Sequence, residues 1–374
     1  MRKIYLVISA VLMLAAALAF LTSNLVELYG GRRPGINADS SDISKYVCIE
    51  TVIHTEVNKT AMVWFAQQCH SKNLKITWYV QPNILDAETA AVLMSFVGQG
   101  DAVELSFGPV FFNSLAPENR VQLVDMQMSA FRNLFGRDPT MVESYYVDAY
   151  TLNFLSLNYS SVKGGVVFVN HESYADDFKS AGAYYMPYYP SKHNTLTPGT
   201  GEDKTNFVAL PFLQRDLGNC LLHNSNLYNL DPQDGTQKVP TWRSYFRNLL
   251  DAYLDGWQNY GLALYMIDLS YPIIPNGEIA EDLTDIRNQI VSRNCTNLLD
   301  SDFVSVFKSH FSESPEYKWI YTDPLSESFT NYWYFSPERR FGFAGSHLVD
   351  GKTYSHDYEP CYFRLVFPYD NSVA

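Results

Sequence analysis

The sequence predicts an α/β fold, an irregular (β/α)7-type barrel with a small β-rich C-terminal module and an N-terminal transmembrane helix. Apolar, strand-like runs recur at intervals of roughly 25 to 40 residues, which is the spacing of βα units. The runs are almost continuously apolar, which is typical of parallel strands covered by helices. They begin near Tyr46, Ile76, Val103, Met141 and Gly165. No glycine-rich phosphate loop follows the first run, and this argues against a nucleotide-binding fold.

The segments between these runs have the periodicity of amphipathic helices. Apolar residues recur every three or four positions in the first such segment, which predicts one buried helix face. The residues of that face are Val57, Ala61, Phe65 and Cys69. Asp86 precedes the next helical segment as a predicted N-cap, and Pro117 stands where the first turn of a helix tolerates proline.

The regular alternation is interrupted once, over residues 172–239, where Gly, Pro, Asn and Tyr dominate. A segment of this length without regular structure is usually functional or disordered. One strand-like run, Val208–Leu213, lies within it. Helical periodicity then returns over Trp242–Tyr260, followed by an apolar strand that ends at Asp268 and a helix over Glu278–Arg293.

The N-terminus predicts a membrane anchor. Arg2 and Lys3 precede an uncharged, apolar stretch from Ile4 to Val26. At about 1.5 Å per residue, such a helix is long enough for a hydrocarbon core of about 30 Å. The basic flank predicts a cytoplasmic N-terminus with the bulk of the chain outside. A cleaved signal peptide, with Ala17–Ala19 as its small-residue site, is the alternative and would make the protein secreted.

Four parts follow from these patterns. Residues 1–26 are the predicted anchor or signal segment, and 27–43 a polar linker with Gly and Pro. The barrel is expected to span 44–312. The aromatic, turn-rich segment 313–374 is expected to form the β-rich module.

Composition narrows the classes of partner. The 27 basic and 40 acidic residues give a net charge of −13, which argues against nucleic acid and against an anionic membrane surface. Tyrosine is abundant, with 27 residues. Aromatic residues often stand next to one another, and Trp78 and Tyr146 each have an aromatic neighbour in the sequence. Flat amphipathic rings suit the faces of sugars, so these two residues are candidates for substrate binding. Edge-strand and core packing is the alternative interpretation of the same rings.

Three strand-like runs each contain one glutamate: Glu50, Glu104 and Glu143. A carboxylate inside an apolar strand is unfavourable unless something pairs with it, because its charge loses water. Three such placements in consecutive strand-helix units predict that the carboxylates converge on one polar site. Inter-strand hydrogen bonding is the alternative role for each of them.

The order of these segments resembles a known family. The strand KITWYVQP, the strand VELSF and the segment GRDPTMVESYYVDAY, with Gly136 and Pro139 before the glutamate, are similar to the irregular seven-stranded barrel of polysaccharide deacetylases and family 57 glycoside hydrolases. The resemblance covers roughly residues 44–270. It departs from deacetylases in the metal ligands, because the strand VELSF contains no histidine.

The resemblance to the family 57 hydrolases implies catalytic roles. It gives Glu143 as the nucleophile or base and Asp268, at the end of a late strand, as the acid. One carboxyl group would attack or activate water, and the other would protonate the leaving oxygen. Glu50, Glu104, Asp148 and His171 are further candidates for substrate binding, in the strands or directly after them.

His54 and Glu56 form a candidate metal site, because imidazole and carboxylate are common ligands of zinc and similar divalent ions. Apart from such a divalent metal, the sequence leaves the cofactor undetermined. The leading interpretation is a membrane-anchored, extracytoplasmic hydrolase of a polysaccharide or glycan. The alternatives are a catalytically inactive, deacetylase-like protein that binds glycans or surface partners, and a metal-dependent polysaccharide deacetylase with substituted ligands.

Overall fold

A computed structural model describes residues 44–54, 58–110, 112–167, 184–211, 213–223, 225, 227–269 and 277–354. The predicted anchor and linker, as well as Glu56 and His171, lie outside these ranges. Within them, no helix combines the length and apolar character needed to cross a bilayer.

Seven parallel strands form one sheet, in the order β6-β5-β4-β3-β2-β1-β7. Their bounds are β1 Lys45–Ile53, β2 Thr77–Val80, β3 Ala102–Ser106, β4 Met141–Glu143, β5 Gly164–Val166, β6 Val208–Leu210 and β7 Gly261–Asp268. A two-residue strand, β8 (Thr296–Asn297), also pairs with β1. The predicted parallel α/β fold is therefore confirmed, but as a curled half-barrel: β6 and β7 end the sheet and do not pair in the described residues.

Nine α-helices are described between and after these strands. Their bounds are α1 Lys59–His70, α2 Ala87–Val97, α3 Pro117–Phe135, α4 Ala149–Asn158, α5 Leu217–His223, α6 Pro232–Lys238, α7 Trp242–Asp255, α8 Gly277–Arg293 and α9 Asp300–His310. The predicted N-cap is confirmed, since Asp86 accepts a hydrogen bond from the backbone N–H of Thr89 at 2.7 Å. Pro117 is the first residue of α3, as predicted.

One face of β1 points inside the curl of the sheet. The side chains of Cys48 and Glu50 interact with Asp300 inside the curl of the sheet, and His54, just beyond the strand, reaches Glu143 of β4. Because β2 and β3 lie between β1 and β4, this contact requires the sheet to curl strongly. The curl brings side chains from distant strands together.

A glutamine side chain bridges the open seam of the sheet. Gln214, four residues after β6, donates from Nε2 to the carbonyl of Leu262 at 2.9 Å and accepts from the N–H of Leu264 at 2.8 Å. Both partners belong to the otherwise unpaired edge of β7. The side-chain amide thus makes the two hydrogen bonds that a residue of a neighbouring strand would make. It satisfies the buried backbone groups of Leu262 and Leu264.

We expect Gln214→Ala to lower the free energy of unfolding by about 2–4 kcal/mol, because it leaves two buried backbone groups without partners. Urea denaturation measures the effect. Gln99→Ala is the matched control, since the exposed Gln99 side chain bonds only to Ser95 in its own helix end. Equal stability of the two variants would show that the bridge does not hold the seam.

The C-terminal segment forms a four-stranded antiparallel sheet, as its aromatic, turn-rich sequence predicted. Its strands are β9 Tyr317–Thr322, β10 Thr330–Phe335, β11 Arg339–Ala344 and β12 His347–Thr353. Trp319 stacks on Trp257 at 4.7 Å and donates to the carbonyl of Ala252 in α7, while Tyr321 bonds to Asp216 after β6. The sheet therefore contacts the segments on both sides of the seam. It belongs to the same compact unit as the barrel, which begins at Lys45.

Candidate active site

A buried cluster of three side chains lies inside the curl of the sheet. The Oε2 atom of Glu143 accepts one hydrogen bond from Ser106 Oγ at 2.6 Å and one from His54 Nε2 at 2.8 Å. Ser106 and Glu143 are fully buried, and His54 is 8% exposed. Because a carboxylate only accepts hydrogen bonds, the imidazole donates here through Nε2–H, and the acceptor lone pair of the neutral ring is then on Nδ1.

The strand ends explain why these residues meet. Ser106 is the last residue of β3, Glu143 is the last of β4, and the two are paired in register. His54 follows the last residue of β1. The carboxyl ends of parallel strands share one edge of the sheet, and in barrels this edge is where functional residues collect.

The loop after β3 supports the cluster from the side. The N–H of Gly108 donates to Ser106 Oγ at 2.9 Å, which leaves the hydroxyl hydrogen directed at Glu143. Gly108 has φ 78°, and a Cβ there would lie 2.6 Å from the side-chain oxygen of Gln81. Ser144 holds the same loop through the carbonyl of Val110 at 2.9 Å. The orientation of Ser106 therefore depends on glycine at position 108.

A second set of acids lies next to the cluster. Burial raises the pKa of Glu50 well above its ordinary range, and the charges of Asp300 and Glu143 add to that shift. Burial also raises the pKa of Asp300 to about 7, although hydrogen bonds from Tyr79, Cys48 and Thr77 oppose the shift. The interior thus holds protonatable carboxyl groups close to the His54–Glu143 pair.

Asp268 lies on the same rim. It is the last residue of β7 and is paired in register with Val52, two residues before His54. Asp268 is therefore one strand away from β1 and two residues before the level of His54. This offset places the Cα atoms of Asp268 and His54 roughly 8 Å apart. Gln233 fixes its backbone, donating to the carbonyl at 3.2 Å and accepting from the N–H at 3.0 Å. Asp268 is only half-buried, so it combines a fixed position with contact to solvent.

Two other predicted carboxylates have structural roles. Glu104 accepts from the N–H groups of Thr140 at 2.7 Å and Met141 at 2.9 Å, and so fixes the start of β4. Asp148 caps α4 through the N–H of Thr151 at 2.8 Å and pairs with Arg120 at 2.6 Å. Both carboxylates are buried and have protein partners, which favours structural roles over the predicted binding of substrate. Glu104 points to the neighbouring strand, and Ser106, two residues later, takes the place in the cluster.

The two predicted sugar-stacking rings are also corrected. Trp78 is fully buried between the sheet and the helices, stacks on Phe96 at 5.4 Å and donates to Asp101 at 2.8 Å. Tyr146 is fully buried as well. A ring without exposed surface cannot stack on a sugar. The sequence shows that such residues are aromatic but not which face of a strand or loop they occupy.

The predicted metal site of His54 and Glu56 lies only partly within the residues that the structure describes. His54 uses Nε2 for Glu143, and Glu56 lies outside the described ranges. Across the described part of the chain, no three His, Cys, Asp or Glu side chains are arranged to hold an ion. We therefore derive no chemical step through a metal.

Comparison with known proteins supports the fold. No family model and no curated protein sequence matches the chain. A solved structure from Parabacteroides distasonis, described as a glycoside hydrolase/deacetylase, is similar over 83% of this chain and 85% of its own, with 12% identity and a TM-score of 0.68. A polysaccharide deacetylase from Mycobacterium smegmatis is a weaker match, with 9% identity, a TM-score of 0.48 and coverage of 73% and 93%.

The likeness to the Parabacteroides distasonis structure shows the fold. The chain shares the fold of that structure, and the fold expected from the sequence resemblance is confirmed. At such low identity the likeness concerns the fold alone. The activity must be argued from the side chains of this chain.

Proposed function

We propose that this protein is a hydrolase that acts on a polysaccharide or glycan at the carboxyl ends of β1, β3, β4 and β7. The cluster of His54, Glu143 and Ser106 carries this proposal. A histidine held by a buried carboxylate is a common arrangement for a general base, because the carboxylate fixes the tautomer and stabilises the imidazolium. The fold, shared with a glycoside hydrolase/deacetylase, is consistent with a glycan as substrate.

The proposed reaction is a single displacement at a glycosidic bond. Nδ1 of His54 takes a proton from water, and the water oxygen forms a bond to the anomeric carbon. The bond from that carbon to the leaving oxygen breaks, and Asp268 donates a proton to this oxygen. Glu143 orients His54 and balances its positive charge. His54 and Asp268 lie on the same rim of neighbouring strands, and an inverting reaction needs its two catalytic groups about 6.5–9.5 Å apart, so that water and the sugar fit between them.

We place this activity outside the cytoplasm, on a chain tethered by residues 1–26. The support is in the sequence, in Arg2 and Lys3 followed by the uncharged stretch Ile4–Val26. Cleavage of this segment would release the same hydrolase as a secreted protein. The linker 27–43 would separate the membrane from the barrel.

Asp268→Asn tests the role of the acid. We expect it to lower kcat/KM about 100-fold or more on a polysaccharide, because the sugar alkoxide is a poor leaving group that needs a proton. The loss should be much smaller on a nitrophenyl glycoside of the same sugar, since nitrophenolate leaves without protonation. Initial rates on both substrates give the comparison.

The exposed Glu118 supplies the control for this experiment, and Glu118→Gln is expected to behave as the wild type on both substrates. An equal loss by Asp268→Asn on the two substrates would rule out the acid role. So would full activity on the polysaccharide.

One observation favours the inactive alternative, a protein that binds glycans without cleaving them. Glu143 is fully buried and His54 nearly so, which limits their contact with substrate. Measuring released reducing ends and released acetate over a panel of acetylated polysaccharides separates the options. Reducing ends support the proposed hydrolase, acetate supports a deacetylase, and binding without either product supports the inactive protein.

A further inference from the structure

The inner face of β2 ends on a glutamine at the rim of the barrel. Successive side chains of a strand alternate between its two faces, so residues two apart share a face. Tyr79 bonds to Asp300 inside the curl at 2.8 Å. Gln81, two residues later, keeps an extended backbone and is the next inward position. Its N–H donates to the carbonyl of Ile53 at 3.2 Å, which places Gln81 beside His54 at the end of β1.

The side chain of Gln81 is held in position, but its amide is not used by the protein. A Cβ built on Gly108 would lie 2.6 Å from Gln81 Oε1, so the amide rests against the glycine that supports Ser106. Gln81 is half-buried, and its side chain does not cap the short turn that follows it. Within the described part of the chain, this amide makes no hydrogen bond. It can therefore bond to hydroxyl groups of a ligand at the rim.

An aromatic ring meets the same part of the rim from the β4 side. Tyr145 follows Glu143 by two residues, and its ring lies 5.7 Å from that of His54, with an interplanar angle of 70°. At this angle His54 covers no more than one face of the Tyr145 ring. Tyr145 is half-buried, in contrast to the fully buried Tyr146. Its ring can therefore present apolar surface to a sugar beside the cluster.

The strand ends around this part of the rim carry no positive charge. The described residues there include no Lys or Arg, over 51–54, 78–82, 105–110, 143–148 and 266–269. Arg120, which reaches the loop after β4, is paired with Asp148 at 2.6 Å. The carboxylates of Asp268 and Glu143 would repel an anionic sugar. The charges at this rim therefore favour an uncharged ligand.

We propose that Gln81 and Tyr145 form the sugar-binding subsite of the barrel and that this subsite takes an uncharged pyranose. The ring of Tyr145 stacks on the apolar face of the sugar, and the amide of Gln81 donates to one hydroxyl group and accepts from its neighbour. The anomeric carbon of the bound sugar then faces His54 and Asp268. This inference rests on the proposed function for the position of the site, and it adds two binding residues and a ligand class.

Titration calorimetry of the full chain with thio-linked tetrasaccharides tests the proposal, because the sulfur linkage resists hydrolysis. The neutral probes are those of glucose, xylose and mannose, and the acidic probe is that of galacturonic acid. We expect a neutral probe to bind and the acidic probe to bind at least tenfold more weakly. Tyr145→Ala should weaken neutral binding about tenfold, whereas Tyr145→Phe keeps the ring and should stay within about threefold of the wild type. Gln81→Met keeps the volume but loses the amide, and should weaken binding about tenfold.

Tyr332→Ala and Gln99→Met are the matched controls. Tyr332 is a half-buried ring in β10 of the C-terminal sheet, and Gln99 is an exposed amide between α2 and β3. Both variants should bind the neutral probe as the wild type does, and circular dichroism checks that every variant folds. The proposal would be overturned if no neutral probe bound, if the acidic probe bound equally or more tightly, or if Tyr145→Ala and Gln81→Met kept wild-type affinity.

Cleavage of the oxygen-linked tetrasaccharides separates this proposal from the proposed function. Binding that depends on Gln81 and Tyr145, without released reducing ends, would overturn the hydrolase and leave the subsite standing. Cleavage with an unchanged KM in both Tyr145→Ala and Gln81→Met would overturn the subsite and leave the hydrolase standing.

Discussion

Glu143→Gln is expected to lower kcat on the cleaved polysaccharide by about 10²–10⁴-fold, the range for loss of positioned acid–base catalysis. The physical reason is the tautomer of His54. A carboxylate at position 143 accepts from Nε2, whereas a carboxamide can present its N–H₂ group there and so favour the proton on Nδ1. The imidazole would then have no lone pair on the atom that receives the proton of water. Initial rates of reducing-end release measure the effect.

The coupling between the two residues gives this prediction its specificity. If Glu143 acts through His54, then His54→Gln and the double variant should each lose about as much activity as Glu143→Gln, because residues that act as a unit are not additive. Glu118→Gln is the surface control. If the loss of activity in the double variant equals the product of the two single losses, the two residues do not act as a unit. Full activity of Glu143→Gln would rule out the proposed mechanism.

Asp300→Asn is expected to change how stability depends on pH. Burial raises the pKa of Asp300 to about 7, whereas its unfolded value is near 3.8. The folded state therefore binds more protons than the unfolded state between these values, and the wild type loses stability as pH rises from about 4 to about 7. The asparagine variant lacks this loss. Relative to the wild type, it should gain on the order of 4 kcal/mol between pH 4 and pH 8.

Urea denaturation at several pH values measures this gain. Asp302→Asn is the matched control, because Asp302 is exposed in the first turn of the same helix, α9. Its pH profile should follow that of the wild type. Parallel profiles for Asp300→Asn and the wild type would show that Asp300 does not hold a proton in the folded protein.

The sequence predicted most of the secondary structure, for physical reasons. Strands buried on both faces are continuously apolar, so β1, β2, β3, β4 and β5 begin within two residues of the predicted positions. The run at Val208 forms β6 within the long irregular segment. The predicted helix from Trp242 ends at Asp255 instead of Tyr260, because Gly256 caps it and Trp257 packs on Trp319. Local periodicity cannot detect that tertiary contact.

The candidate site was predicted only in part. Desolvation cost identified Glu50 and Glu143 as acids inside the barrel, and metal-binding chemistry identified His54 as a candidate site residue. Their pairing depends on the curl of the sheet, which brings β1 and β4 together across two intervening strands. The spacing of residues in the sequence does not predict this contact between β1 and β4. Ser106 lies two residues after Glu104 on the same strand face, and only the register shows which of the two joins Glu143.

Two important residues gave no clear signal in the sequence. Asp300 resembles an ordinary first-turn acid of a helix, yet it is fully buried and bonds to Tyr79 at 2.8 Å, more than two hundred residues away in the chain. Gln214 lies in an irregular segment, and its partners belong to β7. In both cases the role depends on long-range contacts rather than on neighbours in the sequence.

Nitrogen-15 NMR of the His54 ring tests the central claim most directly, because it reports which nitrogen carries the proton. We predict that neutral His54 is protonated on Nε2 in the wild type and that Glu143→Gln shifts the proton toward Nδ1. A wild-type ring protonated on Nδ1, or a ring signal that does not respond to Glu143→Gln, would contradict the claim that Glu143 orients His54 as a base.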